Sequence, residues 1–190
     1  MPAVAGTNSI SLWDTTSDMR LALLALATVT SLAAALPTRE DALKLAFSGA
    51  TFTRKEYFLT EAQGTKVKQL SQRDLPGLWW VAYEAEKDGK PVGVAFFDTH
   101  RVRTLNETTM VAISGEGKIL RVEVIQFHEP QEYMAKDAWK QQFVGHKLDE
   151  DLSLKHGIRP LGGATLTANA LTDASRRCLA LWQVLYGEKK

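Results

Sequence analysis

Along the chain, hydrophobic residues fall first into one uncharged, mostly apolar run and then into short alternating and three-to-four-residue patterns. The run, Leu21 to Leu36, carries no charge and follows Met19-Arg20. A positive start, an apolar stretch and small residues at Ala33 and Ala35 form the pattern of an export signal. Its sixteen residues, at about 1.5 Å each in a helix, fall short of the roughly 30 Å hydrocarbon core of a bilayer. A cleaved signal is therefore expected, with an uncleaved membrane anchor as the alternative. Residues 1–18 contain Asp14 and Asp18 and no Lys or Arg, so the natural start is expected at Met19. The chain then divides into a leader, residues 1–36, and one domain, residues 37–190.

Within the domain, Thr38-Arg-Glu-Asp41 has the form of a helix start, and Leu43, Ala46 and Phe47 follow on one face. Phe52 to Leu59 reads as extended, Glu61 to Leu70 as a short polar helix, and Leu75-Pro-Gly-Leu78 as a turn. Two hairpins come next. Trp79–Glu84 and Val92–Phe97 flank Lys87-Asp88-Gly89-Lys90, and Thr109–Ser114 and Ile119–Phe127 flank Gly115-Glu116-Gly117. Arg121, Glu123 and Gln126 interleave with apolar neighbours, which predicts one wetter sheet face. From Ala168 to Tyr186, Leu171, Ala174, Cys178, Trp182 and Leu185 make a helical apolar stripe. The pattern predicts an α+β fold: an antiparallel sheet built from hairpins, helices on one side, and a long C-terminal helix.

Composition narrows the function. With 190 residues, 45% hydrophobic and 24% charged, the chain supports one ordinary core. Its net charge of +1 gives no electrostatic case for nucleic acid. Cys178 is the only cysteine, which excludes an internal disulfide or a Cys-x-x-Cys site, and its place on the apolar stripe predicts a packing role. His100, His128, His146 and His156 have no metal-ligand spacing, so no metal site is expected.

One short string occurs twice: Ser48-Gly49-Ala50-Thr51-Phe52-Thr53 and Gly162-Gly163-Ala164-Thr165-Leu166-Thr167. The second precedes the long helix, where unpaired amides and the helix dipole favour a phosphate. The Gly162-Gly163 pair frees the backbone to approach a bulky ligand. Thr51 opens a strand instead and offers no amide cluster, although Arg54 and Lys55 lie close by in sequence. Thr165 is the preferred position, with Gly163, Ala164, Leu166 and Thr167 around it; the Thr167 hydroxyl is expected to cap the helix start. Aromatic wall candidates for a planar ligand are Trp79, Trp80, Phe97, Tyr133, Trp139 and Phe143. Thr60 and Gln63 stand together in Leu-Thr-x-x-Gln without an assigned role.

Residues 38 to 186 resemble the FMN-binding domain found in periplasmic flavin subunits of Rnf and sodium-pumping NADH:quinone reductase complexes, and in small standalone exported proteins. The resemblance rests on the late Gly-Ala-Thr, on Phe127-His128-Glu129-Pro130 after a strand, and on Trp139-Lys-Gln-Gln-Phe143-x-Gly145. It implies an FMN linked through its phosphate to Thr165, with Glu129 as a polar group beside it. The implied partners are a flavin transferase for maturation and a membrane or periplasmic redox partner. Two positions depart from the family pattern: Gly162 stands where Ser or Thr is usual, and Arg159 where Asp is frequent. These departures bear on modification more than on flavin binding. With no nucleophile–base pair and no second cofactor motif in the sequence, an exported electron carrier is the leading expectation, more an electron-transfer protein than an enzyme with its own substrate. A non-covalent flavin or small-molecule binding module is the alternative.

Overall fold

A computed structural model describes residues 35–154 and 156–187, so the proposed leader lies almost entirely outside the described residues. The domain is built on a five-stranded sheet in sequential antiparallel order. Its strands are β1 (Thr51–Phe58), β2 (Trp79–Lys87), β3 (Lys90–Arg101), β4 (Asn106–Ser114) and β5 (Ile119–Phe127). Four helices accompany them among the described residues: α1 (Arg39–Ala46), α2 (Glu61–Ser71), α3 (Asp137–Lys140) and α4 (Thr165–Leu185).

Local chemistry explains most of these elements. The β2–β3 hairpin closes on Asp88 (φ +53°) and Gly89 (φ +71°), both left-handed as a two-residue type I′ turn requires. Helix α1 starts where the Thr38 hydroxyl accepts from the Asp41 amide at 3.1 Å. Thr60 and Gln63, which sequence left without a role, form a capping box at the start of α2. Strands β3 and β4 run longer than their apolar patterns suggest, because Asp98, His100 and Glu107 continue the ladder as buried or nearly buried polar residues.

Alternation along the strands separates two cores. On one face Ala82, Phe96, Val111, Ile113, Val122 and Val124 meet Leu171, Cys178, Leu179 and Leu181 of α4 and Val67 of α2. On the other, Ala95, Met110, Ala112 and Ile125 meet Ala42 and Leu43 of α1 and the following Phe47. The two long helices therefore share one face, and α1 packs on the opposite one. Arg121 and Glu123 lie on the α1 side, but that part of the face is not wet. Glu123 is buried, bound to Arg121 at 2.7 Å and to the buried Lys140 of α3.

Helix α4 is fixed to the rest by two arginines. The Arg177 guanidinium grips both Asp98 oxygens, at 2.7 and 3.0 Å. Arg176 donates to the backbone carbonyls of Ser71, Asp149 and Leu152. Such charge-assisted bonds are directional, so they set the rotation and axial position of α4, and through it the location of the helix start. Cys178 is fully buried beside them, and burial pushes its thiol well above the ordinary range, in keeping with a packing residue.

Candidate functional site

The site forms where the first turn of α4 meets two loops. Ala164 donates its N–H to the Leu161 carbonyl at 3.0 Å, closing a turn over Gly162 and Gly163. Gly163, at φ +75°, occupies the left-handed third position of that turn. Gly162 has ordinary geometry, and a Cβ built there meets nothing within 4 Å. The conformational argument therefore applies to Gly163 and not to both glycines.

The helix begins at Thr165, three residues earlier than the apolar stripe indicates, with Ala164 as the N-cap and no side-chain cap. The amides of Thr165, Leu166 and Thr167 consequently have no acceptor among the described residues, the first backbone bond being Ala168 N–H to Ala164 O. Thr167 was expected to cap the helix. It lies instead inside the first turn, 1% exposed, where its hydroxyl makes no cap bond. Thr165 itself is exposed.

Above this turn lies a cavity of about 290 Å³ lined by Val102, Arg103, Glu129, Tyr133 and residues 163–167. All six residues selected from sequence, Thr165, Gly163, Ala164, Leu166, Thr167 and Glu129, thus border one space. Val102 and Arg103 were not foreseen. They sit in the β3–β4 turn, and a single arginine in a turn carries no pattern that separates it from any other.

Glu129 explains how that turn is held. Its Oε1 accepts from the amides of Thr104 (2.7 Å), Leu105 (2.8 Å) and Arg103 (3.2 Å), and from the Thr104 hydroxyl at 3.3 Å. The Leu105 and Thr104 amides, outweighing burial, hold its carboxyl below the usual carboxylate range. Glu129 is therefore an anchor that presents Val102 and Arg103 to the cavity, as well as part of its wall.

The Trp139 segment acts in a similar way from the other side. Trp139 Nε1 donates to the Arg159 carbonyl, and the Arg159 amide donates to Gln142 Oε1, both at 2.9 Å. Trp139 in turn packs edge-on against the fully buried Phe143, ring centres 5.4 Å apart. These two aromatics brace the loop leading to Gly163 and do not line the cavity. Of the six aromatic candidates only Tyr133 does so; Trp79, Trp80 and Phe97 line a separate space.

The second Gly-Ala-Thr copy is elsewhere. Thr51 begins edge strand β1, paired with Glu86, and its hydroxyl donates to the Glu86 carbonyl at 3.3 Å.

Helix start, open amides, nearby cation and a partly apolar wall together define an α+β domain with a cavity suited to a phosphate-bearing ligand. Residues 106–180 match the family model of the FMN-binding domain, and that match indicates FMN as the cofactor. The match runs from β4 into α4 and includes Glu129, the Trp139 segment and Gly163–Thr167. No curated protein and no solved structure matches the chain.

The residues present fit that cofactor. Three amides without acceptors and the Arg103 side chain suit a phosphate, and Val102, Tyr133 and Leu166 supply apolar surface for a flavin. FMN supplies reversible electron transfer when bound.

Proposed function

We propose that this protein is an exported flavoprotein that carries electrons on an FMN joined through its phosphate to Thr165. The observation that carries this reading is the placement of an exposed Thr165 as the first residue of α4, at the mouth of the cavity, beside amides with no acceptor. Linkage forms a bond from Thr165 Oγ to phosphorus, releases the hydroxyl proton and breaks a phosphoanhydride bond of an activated flavin nucleotide. The only carboxylate in the cavity wall, Glu129, is held ionised by backbone amides and is a poor proton acceptor. A separate flavin transferase supplies the base.

Once formed, the phosphodiester keeps one negative charge, which the helix dipole and Arg103 stabilise. The cavity is at the small end of the roughly 300–1,000 Å³ usual for ligand sites. It suits the phosphate end and one side of the ring, leaving an edge open for exchange with a membrane or periplasmic redox partner. A permanent link also prevents loss of cofactor outside the cell membrane, where a dissociated flavin would diffuse away.

Co-expression with a flavin transferase tests this directly. The protein should retain flavin fluorescence on a denaturing gel, gain the corresponding intact mass, and bleach reversibly on reduction. Thr165→Val should abolish the mass gain; an unchanged gain would move the attachment to Thr51 or end the covalent reading. A second reading, non-covalent binding, is favoured by Gly162 in place of the family's Ser or Thr, and complete release of flavin by acid precipitation would support it.

A further inference from the structure

The space beside Thr165 is not the largest cavity among the described residues. A cavity of about 450 Å³ lies against the sheet face that carries α1, beyond the part that α1 covers. Its floor is the edge-to-face pair Tyr83 and Phe97, ring centres 5.4 Å apart. Trp79, 54% exposed, forms one side, and Arg39, the first residue of α1, and Arg54 of β1 form others.

The polar groups around this space are nearly all committed. Arg54 is paired with Glu56, and the same carboxylate accepts from Trp79 Nε1 at 3.2 Å. Trp80 Nε1 donates to the Gly77 carbonyl at 2.9 Å, and the Thr99 and Thr108 hydroxyls bond each other at 2.9 Å. Arg39 is the exception. Among the described residues its guanidinium has no carboxylate partner and rests over the Phe97 ring, 5.5 Å from its centre.

We infer that this cavity is a second binding site, for a planar aromatic monoanion such as an aromatic carboxylic acid. The aromatic floor and Trp79 take the ring by stacking and edge contacts. Arg39 takes the carboxylate with its planar donor fork, which a neutral ligand cannot use. One uncompensated cation specifies one negative charge: a dianion would meet Glu56 as its second neighbour, and a cation would meet Arg39. The site is independent of the flavin reading, since none of its residues borders the Thr165 cavity.

Titration calorimetry with 2-naphthoate on the flavin-loaded protein tests the inference. Binding with 1:1 stoichiometry is expected, weakened about tenfold or more by Arg39→Gln and by replacing the ligand with neutral 2-naphthalenemethanol. Arg39→Gln should leave flavin content unchanged, because Arg39 is exposed and does not border the Thr165 cavity. Trp79→Leu is the second variant and should also weaken binding, through lost ring contact. Flavin-free protein should bind 2-naphthoate equally well. Absence of binding, equal affinity for the neutral analogue, indifference to both substitutions, or competition with flavin would each overturn the proposal.

Discussion

Raising the pH through 9 should loosen the attachment of α4 to the sheet, and His100 is the reason. Its ring lies nearly buried between two carboxylates, with Nδ1 3.0 Å from Asp98 Oδ1 and Nε2 3.5 Å from Glu107 Oε2. Burial opposes the charged ring, but the hydrogen bond to Asp98 and the nearby Glu107 carboxylate outweigh it and lift the pKa from 6.5 to about 9. A group whose folded pKa is raised contributes stability that is whole below its unfolded value and disappears as pH passes its folded value. The window is therefore pH 6.5 to about 9. At about 1.4 kcal/mol per pH unit, the contribution lost across it is about 3 kcal/mol. Cys178, raised by burial, adds loss in the same direction once the unfolded thiol begins to ionise, so the measurement is a difference. Urea unfolding of the wild type and of His100→Gln at intervals from pH 6 to 9.5 should give converging stabilities, the wild type losing its advantage as pH rises. Parallel curves, or a His100 imidazole NMR titration midpoint below 7, would refute the argument.

Breaking the same cluster from the helix side should cost more. Arg177→Gln leaves Asp98 buried beside His100 alone, and chemical denaturation should register a loss of about 3–5 kcal/mol. Gly163→Ala forces a side chain into a left-handed backbone and should cost about 1–2 kcal/mol, with less bound flavin by absorbance. Gly162→Ser, where the added atoms meet nothing, should leave the melting temperature unchanged and raise the attached fraction in intact-mass spectra. Glu129→Ala should free the turn at residues 102–105, visible as faster proteolysis there, and lower flavin retention on gel filtration; unchanged cleavage would mean the carboxylate is not its anchor.

Much of the fold was legible because it is local. Hairpins were marked by Asp88-Gly89 and Gly115-Glu116-Gly117, and α4 by a stripe from Leu171 to Leu185. The errors share one cause. The start of α4 was read three residues late because Thr165, Leu166 and Thr167 continue no apolar pattern, and β3 and β4 were read short because buried charge looks like a strand end. Asp98 and Arg177 are 79 positions apart, and no periodicity links them.

For the site, the sequence by itself determined the Gly-Ala-Thr before a helix, and with it the chemistry of amides and dipole that favours a phosphate. Local backbone preference is enough for that, since the turn over Gly163 and the first helical turn involve neighbours only. The tertiary structure alone decided what surrounds Thr165. It placed Glu129 under the β3–β4 turn, brought Arg103 and Tyr133 to the cavity, and set Trp139 behind the loop as a brace. Those placements follow from antiparallel pairing and from the axial position of α4 fixed by its buried arginines, which are long-range constraints that no short window of sequence contains.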